Sequence, residues 1–168
     1  MRRALLLFSG LLMIAAPAAA QKFSSLPRAK ANAALVFPLT VITKQNLDFG
    51  YISVNAAGTV VINPNTSARS VTGGVLAMGG RPQPATFIGV ARSASVVNIR
   101  IPKQPITLTR VGGTETMQAT NFTLQGQDKR VLARMEAFEF NVGATLNVAA
   151  GQVEGVYTGQ FDVTVQYP

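Results

Sequence analysis

Apolar and polar positions alternate along most of this chain, and the alternation is sharpest in its last stretch. Phe161, Val163, Val165 and Tyr167 share one face, and Asp162, Thr164 and Gln166 share the other. Side chains swap faces at each residue of a strand, so the pattern predicts a strand with one buried and one wet face. The sequence stops one residue after Tyr167, with no later strand to hairpin with this one. An unpaired strand edge is a template for association, so another segment is expected to cover it.

The same reading yields short strands upstream. Leu39 to Ile42 is one. In Leu47 to Val54 the residues Leu47, Phe49, Tyr51 and Ser53 point inward, unless a bulge at Gly50 shifts the face. Ala57 to Ile62 ends at the turn signal Asn63-Pro64-Asn65-Thr66. Ser70 to Met78 is interrupted by Gly73-Gly74, and Thr86 to Val90 follows a proline-rich link. Val96 to Ile101, Ile106 to Val111 and Met117 to Leu124 are the next strands, and Phe138 to Val142 and Ala144 to Val148 flank Gly143. Only Asp128 to Ala137 has apolar positions near a 3.6 period, and it reads as a strand or a single helical turn. Many short strands with Gly and Pro between them predict an all-β sandwich or barrel.

The two ends of the N-terminal region read differently. Met1-Arg2-Arg3, the apolar run Ala4 to Ile14 and the small-residue exit Pro17 to Ala20 form a secretory signal layout, with cleavage expected between Ala20 and Gln21. The apolar run is too short for a permanent bilayer span. Residues 21–37 form an extension, and residues 38–168 the domain proper. Within the extension Ala29, Ala31, Ala33, Leu35 and Phe37 share a face, with Arg28, Lys30 and Asn32 opposite, although Ala34 and Val36 break the polar side. It reads either as a frayed leader to the first strand or as a strand-forming arm able to lie in an apolar groove. Pro38 marks the boundary.

Composition narrows the function. With 48% hydrophobic residues, 13% charged and no cysteine, an exported domain of this size holds together by burial and not by disulfides. Without Arg2 and Arg3 the net charge of +8 becomes +6. The basic residues are scattered, and after the leader only Lys129 and Arg130 are adjacent, so no nucleic-acid stripe is present. No histidine or cysteine is available as metal ligand, nucleophile or base. Glu136 and Glu139 are the closest pair of acids and read as a solvated face. Asn63, Asn65 and Thr66 offer oxygens to calcium, but without a nearby carboxylate the site would be weak. No enzyme and no cofactor are expected.

Leu47-Asp48-Phe49-Gly50, Gly58-Thr59-Val60, Val142-Gly143-Ala144-Thr145-Leu146 and the closing run Gly155-x-Tyr157-x-Gly159-x-Phe161-x-Val163-x-Val165-x-Tyr167 resemble the bacterial family catalogued as domain of unknown function 4402. The similarity runs from about Leu39 to Tyr167. More distantly, the ending is similar to the last strand of chaperone–usher pilins and spore coat protein U-like subunits. That resemblance implies an incomplete immunoglobulin-like sandwich lacking its last strand, assembled into a surface fibre by donor-strand complementation. It makes Ala29, Ala31, Ala33, Leu35 and Phe37 the donor face. Tyr157, Gly159, Phe161, Val163, Val165 and Tyr167 become the acceptor edge. The implied partners are neighbouring subunits, a periplasmic chaperone and an outer-membrane usher, and the implied location is the periplasm and then the cell surface. The alternative is a monomeric, self-complemented binding or adhesin module.

Overall fold

The computed structural model describes residues 30, 33, 35, 38–133 and 137–168. Ala20, Gln21, Ala29, Ala31 and Phe37 lie outside the described residues, while Ala33 and Leu35 are described and exposed. The chain divides into two compact units, Met1–Leu35 and Val36–Pro168. Every strand among the described residues belongs to the second.

Alternating, β-branched sequence between glycine and proline breaks produces eleven strands and no helix among the described residues. They are β1 (Thr40–Gln45), β2 (Tyr51–Ile62), β3 (Arg69–Gly79), β4 (Ala85–Val90), β5 (Ser95–Arg100) and β6 (Ile106–Arg110). Then come β7 (Thr116–Leu124), β8 (Lys129–Leu132), β9 (Ala137–Val148), β10 (Tyr157–Thr158) and β11 (Thr164–Gln166). Asp128 to Ala137 thus supplies a strand, β8. The two runs flanking Gly143 join into one long strand, β9.

All pairings are antiparallel. The large sheet runs β1-β4-β9-β7-β6-β10, and a second sheet runs β11-β5-β8. The long strand β9 is the spine. Its first half pairs β4 from Ala137↔Val90 to Val142↔Ala85, and its second half pairs β2 from Thr145↔Val61 to Val148↔Gly58. The order β1-β4-β9-β7 repeats A-B-E-D of an immunoglobulin sheet, and the antiparallel pair β5–β11 repeats C-F. Among the described residues no strand stands where the seventh, G, would lie beside β11.

Two cores result. The sandwich core joins Phe87, Phe138, Phe140 and Val142 of the large sheet to Val97 and Ile99 of the small one. The other core, around Val60, Ile62, Val75, Met117 and Leu146, fills a curl of the large sheet, and Leu47 and Phe122 pack against both.

Arg69 shows how tightly that sheet curls. The ten steps from Arg69 to Gly79 would span about 33 Å in a straight strand. Yet Arg69 Nη1 lies 3.0 Å from the Gly79 carbonyl and 3.1 Å from those of Phe49 and Tyr51. The β2–β3 hairpin therefore doubles back, bending where the register shifts between Val54 and Gly58 opposite Gly73-Gly74. One guanidinium ties the fold shut.

This corner explains Leu47-Asp48-Phe49-Gly50. Leu47 bridges the cores and Phe49 is buried in the curl. Asp48 pairs through its backbone with Gln83, at 2.9 and 2.8 Å, and its Oδ1 accepts the Gly50 N–H at 2.7 Å. Gly50 has φ +72°, and a Cβ there would lie 2.5 Å from Arg69 Nη1 and 2.7 Å from the Gly79 carbonyl. The left-handed residue shifts the face of the strand. Tyr51 consequently points outward, 73% exposed, and Ile52 and Val54 take the inward positions.

Candidate functional site: an open sandwich edge

The last fourteen residues serve both sheets. At β10, Tyr157 and Thr158 pair with Arg110 and Thr109 of the large sheet. The chain then crosses, and at β11 Thr164, Val165 and Gln166 pair with Arg100, Ile99 and Asn98 of the small sheet. The alternation read from sequence holds in burial from Phe161 to Pro168, although only three residues form ladder pairs.

Tyr157 and Gly159 are accordingly not brought together with the residues after them on the β11 edge; they lie beside β6. Tyr157 Oη donates to the Val153 carbonyl at 2.6 Å and accepts from Gln152 Nε2 at 2.8 Å. Tyr157 thus sits in the link between β9 and β11 and bonds back to upstream backbone, as the tyrosine corner of immunoglobulin-type sandwiches does between strands E and F. Gly159 lets the chain cross close over β6, since a Cβ there would sit 2.7 Å from the Thr107 carbonyl. Beneath this corner Arg110 bonds Glu115 at 2.7 Å, holding that carboxyl down to about 2. Tyr157→Phe should cost about 1 kcal/mol. By calorimetry that is a fall of roughly 2–4 °C in Tm for a domain of this size. An unchanged Tm would show that the corner carries no stability.

Phe161, Val163, Val165 and Tyr167 do come together. All four are half-buried and pack on the sandwich core, as do Leu39 and Val41 at the other sheet's edge. The Phe161 ring meets Phe122 at 5.0 Å and the edge of Phe87 at 6.3 Å. Tyr167 Oη accepts the Arg92 N–H at 3.1 Å, which ties the end of the chain to the loop before β5. β11 hydrogen-bonds to β5 alone, and β1 to β4 alone. The core therefore reaches the surface between two edge strands, β1 and β11, each with a free side among the described residues.

At the opposite flank the edge strand β8 also pairs with β5 alone, but a side chain bridges it to the other sheet. Arg130 of β8 donates to the carbonyls of Gln125 at 2.6 Å, Glu139 at 3.0 Å and Gln127 at 3.3 Å. Its guanidinium carbon lies 5.6 Å from the centre of the Phe140 ring, a cation–π contact. Burial pushes its pKa down from the ordinary arginine value. The guanidinium occupies backbone acceptors of β9 and the link after β7, where those strands separate, and covers the core there. One flank is capped and the other is open.

Sequence reading missed this cap. Its signal was present: Arg130 shares a face with Leu132, so an arginine stands at an inward position of a strand. Leu39 and Val41 were also legible as alternate apolar positions. The other candidate groups serve local structure. Asn63 Oδ1 accepts the N–H groups of Asn65 at 2.8 Å and Thr66 at 3.3 Å, an internal turn. Glu139 pairs with Lys44 at 2.9 Å, and Glu136 lies outside the described residues. Among the described residues no helix is long and apolar enough to cross a membrane, and no three acids cluster as metal ligands.

Comparison with curated proteins and with solved structures returned no match. A family model described as a domain of unknown function, DUF4402, matches residues 39–167, from the strand that borders the open flank to the tyrosine that ends it. That match covers most of the chain, and the protein belongs to the DUF4402 family.

Proposed function

We propose that this protein is a structural subunit of a bacterial surface fibre, in which the arm of one copy fills the open flank of the next. The observation that carries the reading is the one-sided pairing of β11 above half-buried Phe161, Val163, Val165 and Tyr167. A strand laid against β11 would satisfy its free backbone groups and cover the core between β11 and β1. The arm has the matching pattern, with Ala29, Ala31, Ala33, Leu35 and Phe37 on one face. Burying Leu35 and Phe37 contributes roughly 1.5–3 kcal/mol each. The four groove residues gain further burial on the acceptor side. The signal layout of residues 1–20 fits export, and a periplasmic chaperone and an outer-membrane usher are the partners such assembly requires. The function is structural and not enzymatic.

The test uses mature protein with and without residues 21–37, and a peptide of residues 28–37. The intact chain should form a ladder of oligomers by size-exclusion chromatography with light scattering, and the shortened chain should not. Peptide at a hundredfold excess over its Kd should stabilise the shortened chain by about 2.7 kcal/mol, or roughly 5–10 °C. Val165→Asp with Tyr167→Ala should abolish that response. An intact chain that stays monomeric while its shortened form still takes the peptide would point instead to a self-complemented binding module. A shortened chain that is a stable monomer and ignores the peptide would overturn strand donation altogether.

A further inference from the structure

The hairpin of β2 and β3 carries almost no charge. From Phe49 to Gly80 the only acidic or basic residue is Arg69, in a chain with 15 basic and 7 acidic residues. That one guanidinium is taken up by the carbonyls of Phe49, Tyr51 and Gly79. The outer strand, β3, pairs only with β2, and its other edge meets no strand among the described residues. On its far half Leu76 is 50% and Met78 63% exposed, and Tyr51 on β2 is 73% exposed. Leu76 lies opposite Ser53, and Met78 is the unpaired residue of the register shift beside Tyr51, so the three exposed side chains lie close together near the free edge.

Natural sheets guard their edges with charge, proline, brevity, bulges or a covering segment. Here β1 carries Lys44 and follows Pro38, β8 carries Lys129 and Arg130, and β10 and β11 have two and three residues. β3 has eleven residues, and from Ser70 onward no charge and no proline. It is the edge without charge or proline, guarded only by the bends at its two register shifts.

We propose that this edge is an interface between two copies of the chain, pairing β3 with β3 in antiparallel fashion about a two-fold axis. The occupant follows from charge. Two molecules of the same net positive charge repel over about 8 Å at physiological ionic strength. A self-pairing face is favoured when it adds no like charge to that repulsion, and the β2–β3 hairpin adds none beyond Arg69, which is taken up by carbonyls of its own chain. Interfaces between identical chains are depleted in charge and enriched in Tyr and Met, as this face is. An antiparallel strand edge is self-complementary, since each copy offers the other the same row of donors and acceptors. One strand pairing flanked by a few side chains is a small contact, so the association is expected to be weak and to depend on concentration. It uses an edge other than β11 and does not depend on the fibre reading.

Because the chain has no cysteine, single cysteines report position without background. Under mild oxidation, full mature protein carrying Leu76→Cys or Met78→Cys should accumulate a disulfide-linked dimer, and Val131→Cys on exposed β8 should not. By sedimentation velocity across a concentration series, Leu76→Lys with Met78→Lys should lose the dimer while far-UV circular dichroism is unchanged. Added salt should strengthen the wild-type dimer by screening the net charge. The cross-link should survive Val165→Asp with Tyr167→Ala, which separates it from any assembly through β11. Equal cross-linking at Val131→Cys, or a wild-type chain that stays monomeric at every concentration and salt, would overturn the proposal.

Discussion

Phe140→Ala is expected to remove about 3–5 kcal/mol of stability, the range for deleting a buried aromatic ring. Phe140 is fully buried in the first half of the spine strand β9, where it pairs with β4. Its ring stacks on Phe87, directly across the β4–β9 ladder, at 5.3 Å, and lies 6.1 Å from Phe138 on its own strand. On the remaining side it supports the Arg130 cation. Truncation would leave a cavity between the sheets and also take the ring face from a partly desolvated guanidinium. For a domain whose total stability is about 5–15 kcal/mol, that is a large share. The urea midpoint should fall by roughly 2 M, taking an m-value of about 2 kcal/mol/M. Phe140→Leu keeps most of the volume and should cost less than half as much. A midpoint shift under about 0.3 M for the alanine variant would mean that the sandwich core is not organised around this ring.

Arg69→Ala is expected to cost about 2–4 kcal/mol and to act locally. Hydrogen bonds from a charged donor contribute about 1.5–3 kcal/mol each. The three carbonyls share one nitrogen with two hydrogens, and part of the site is open to water, so the bonds do not add in full. What they hold is specific. The guanidinium joins the entry to β2, at Phe49 and Tyr51, to the end of β3 at Gly79. Without it the doubled-back half of the hairpin loses its tie, and the amides of Ile52 to Val54 should exchange with deuterium faster than those of β9. Arg69→Lys should be intermediate, since an ammonium offers three N–H groups on a stem one atom shorter. Uniform exchange across the domain in the alanine variant would show that the corner is not a local tie.

The two substitutions probe different cores. Phe140 belongs to the sandwich that carries the open flank, and Arg69 to the curl that carries the uncharged edge. Leu47 and Phe122 touch both, so a loss in one core is partly felt in the other.

Local pattern was enough for a good part of this. Strand period and turn residues gave the all-β class, and the alternation after Phe161 gave the inward set Phe161, Val163, Val165 and Tyr167 without any tertiary information. These are properties of neighbours in the chain, set by the two-residue repeat of a strand and by the backbone freedom of glycine. Where Gly50 left two faces open for Tyr51, sequence could not choose between them. The choice was made by the Arg69 guanidinium, far along the chain, and by the packing of Phe49.

Sheet membership was decided by tertiary structure alone. Nothing in the run Gly155 to Tyr167 says that Tyr157 pairs with β6 and Val165 with β5, because register and sheet choice depend on partners far along the chain. The same holds for the cap at Arg130, which works only because β7 and β9 separate beside it. An open flank is likewise a relation between two strands, β1 and β11, at opposite ends of the domain sequence. Sequence determined that the last strand has an apolar face to bury; only the tertiary structure decided that this face is covered on one side, by β5, and free on the other.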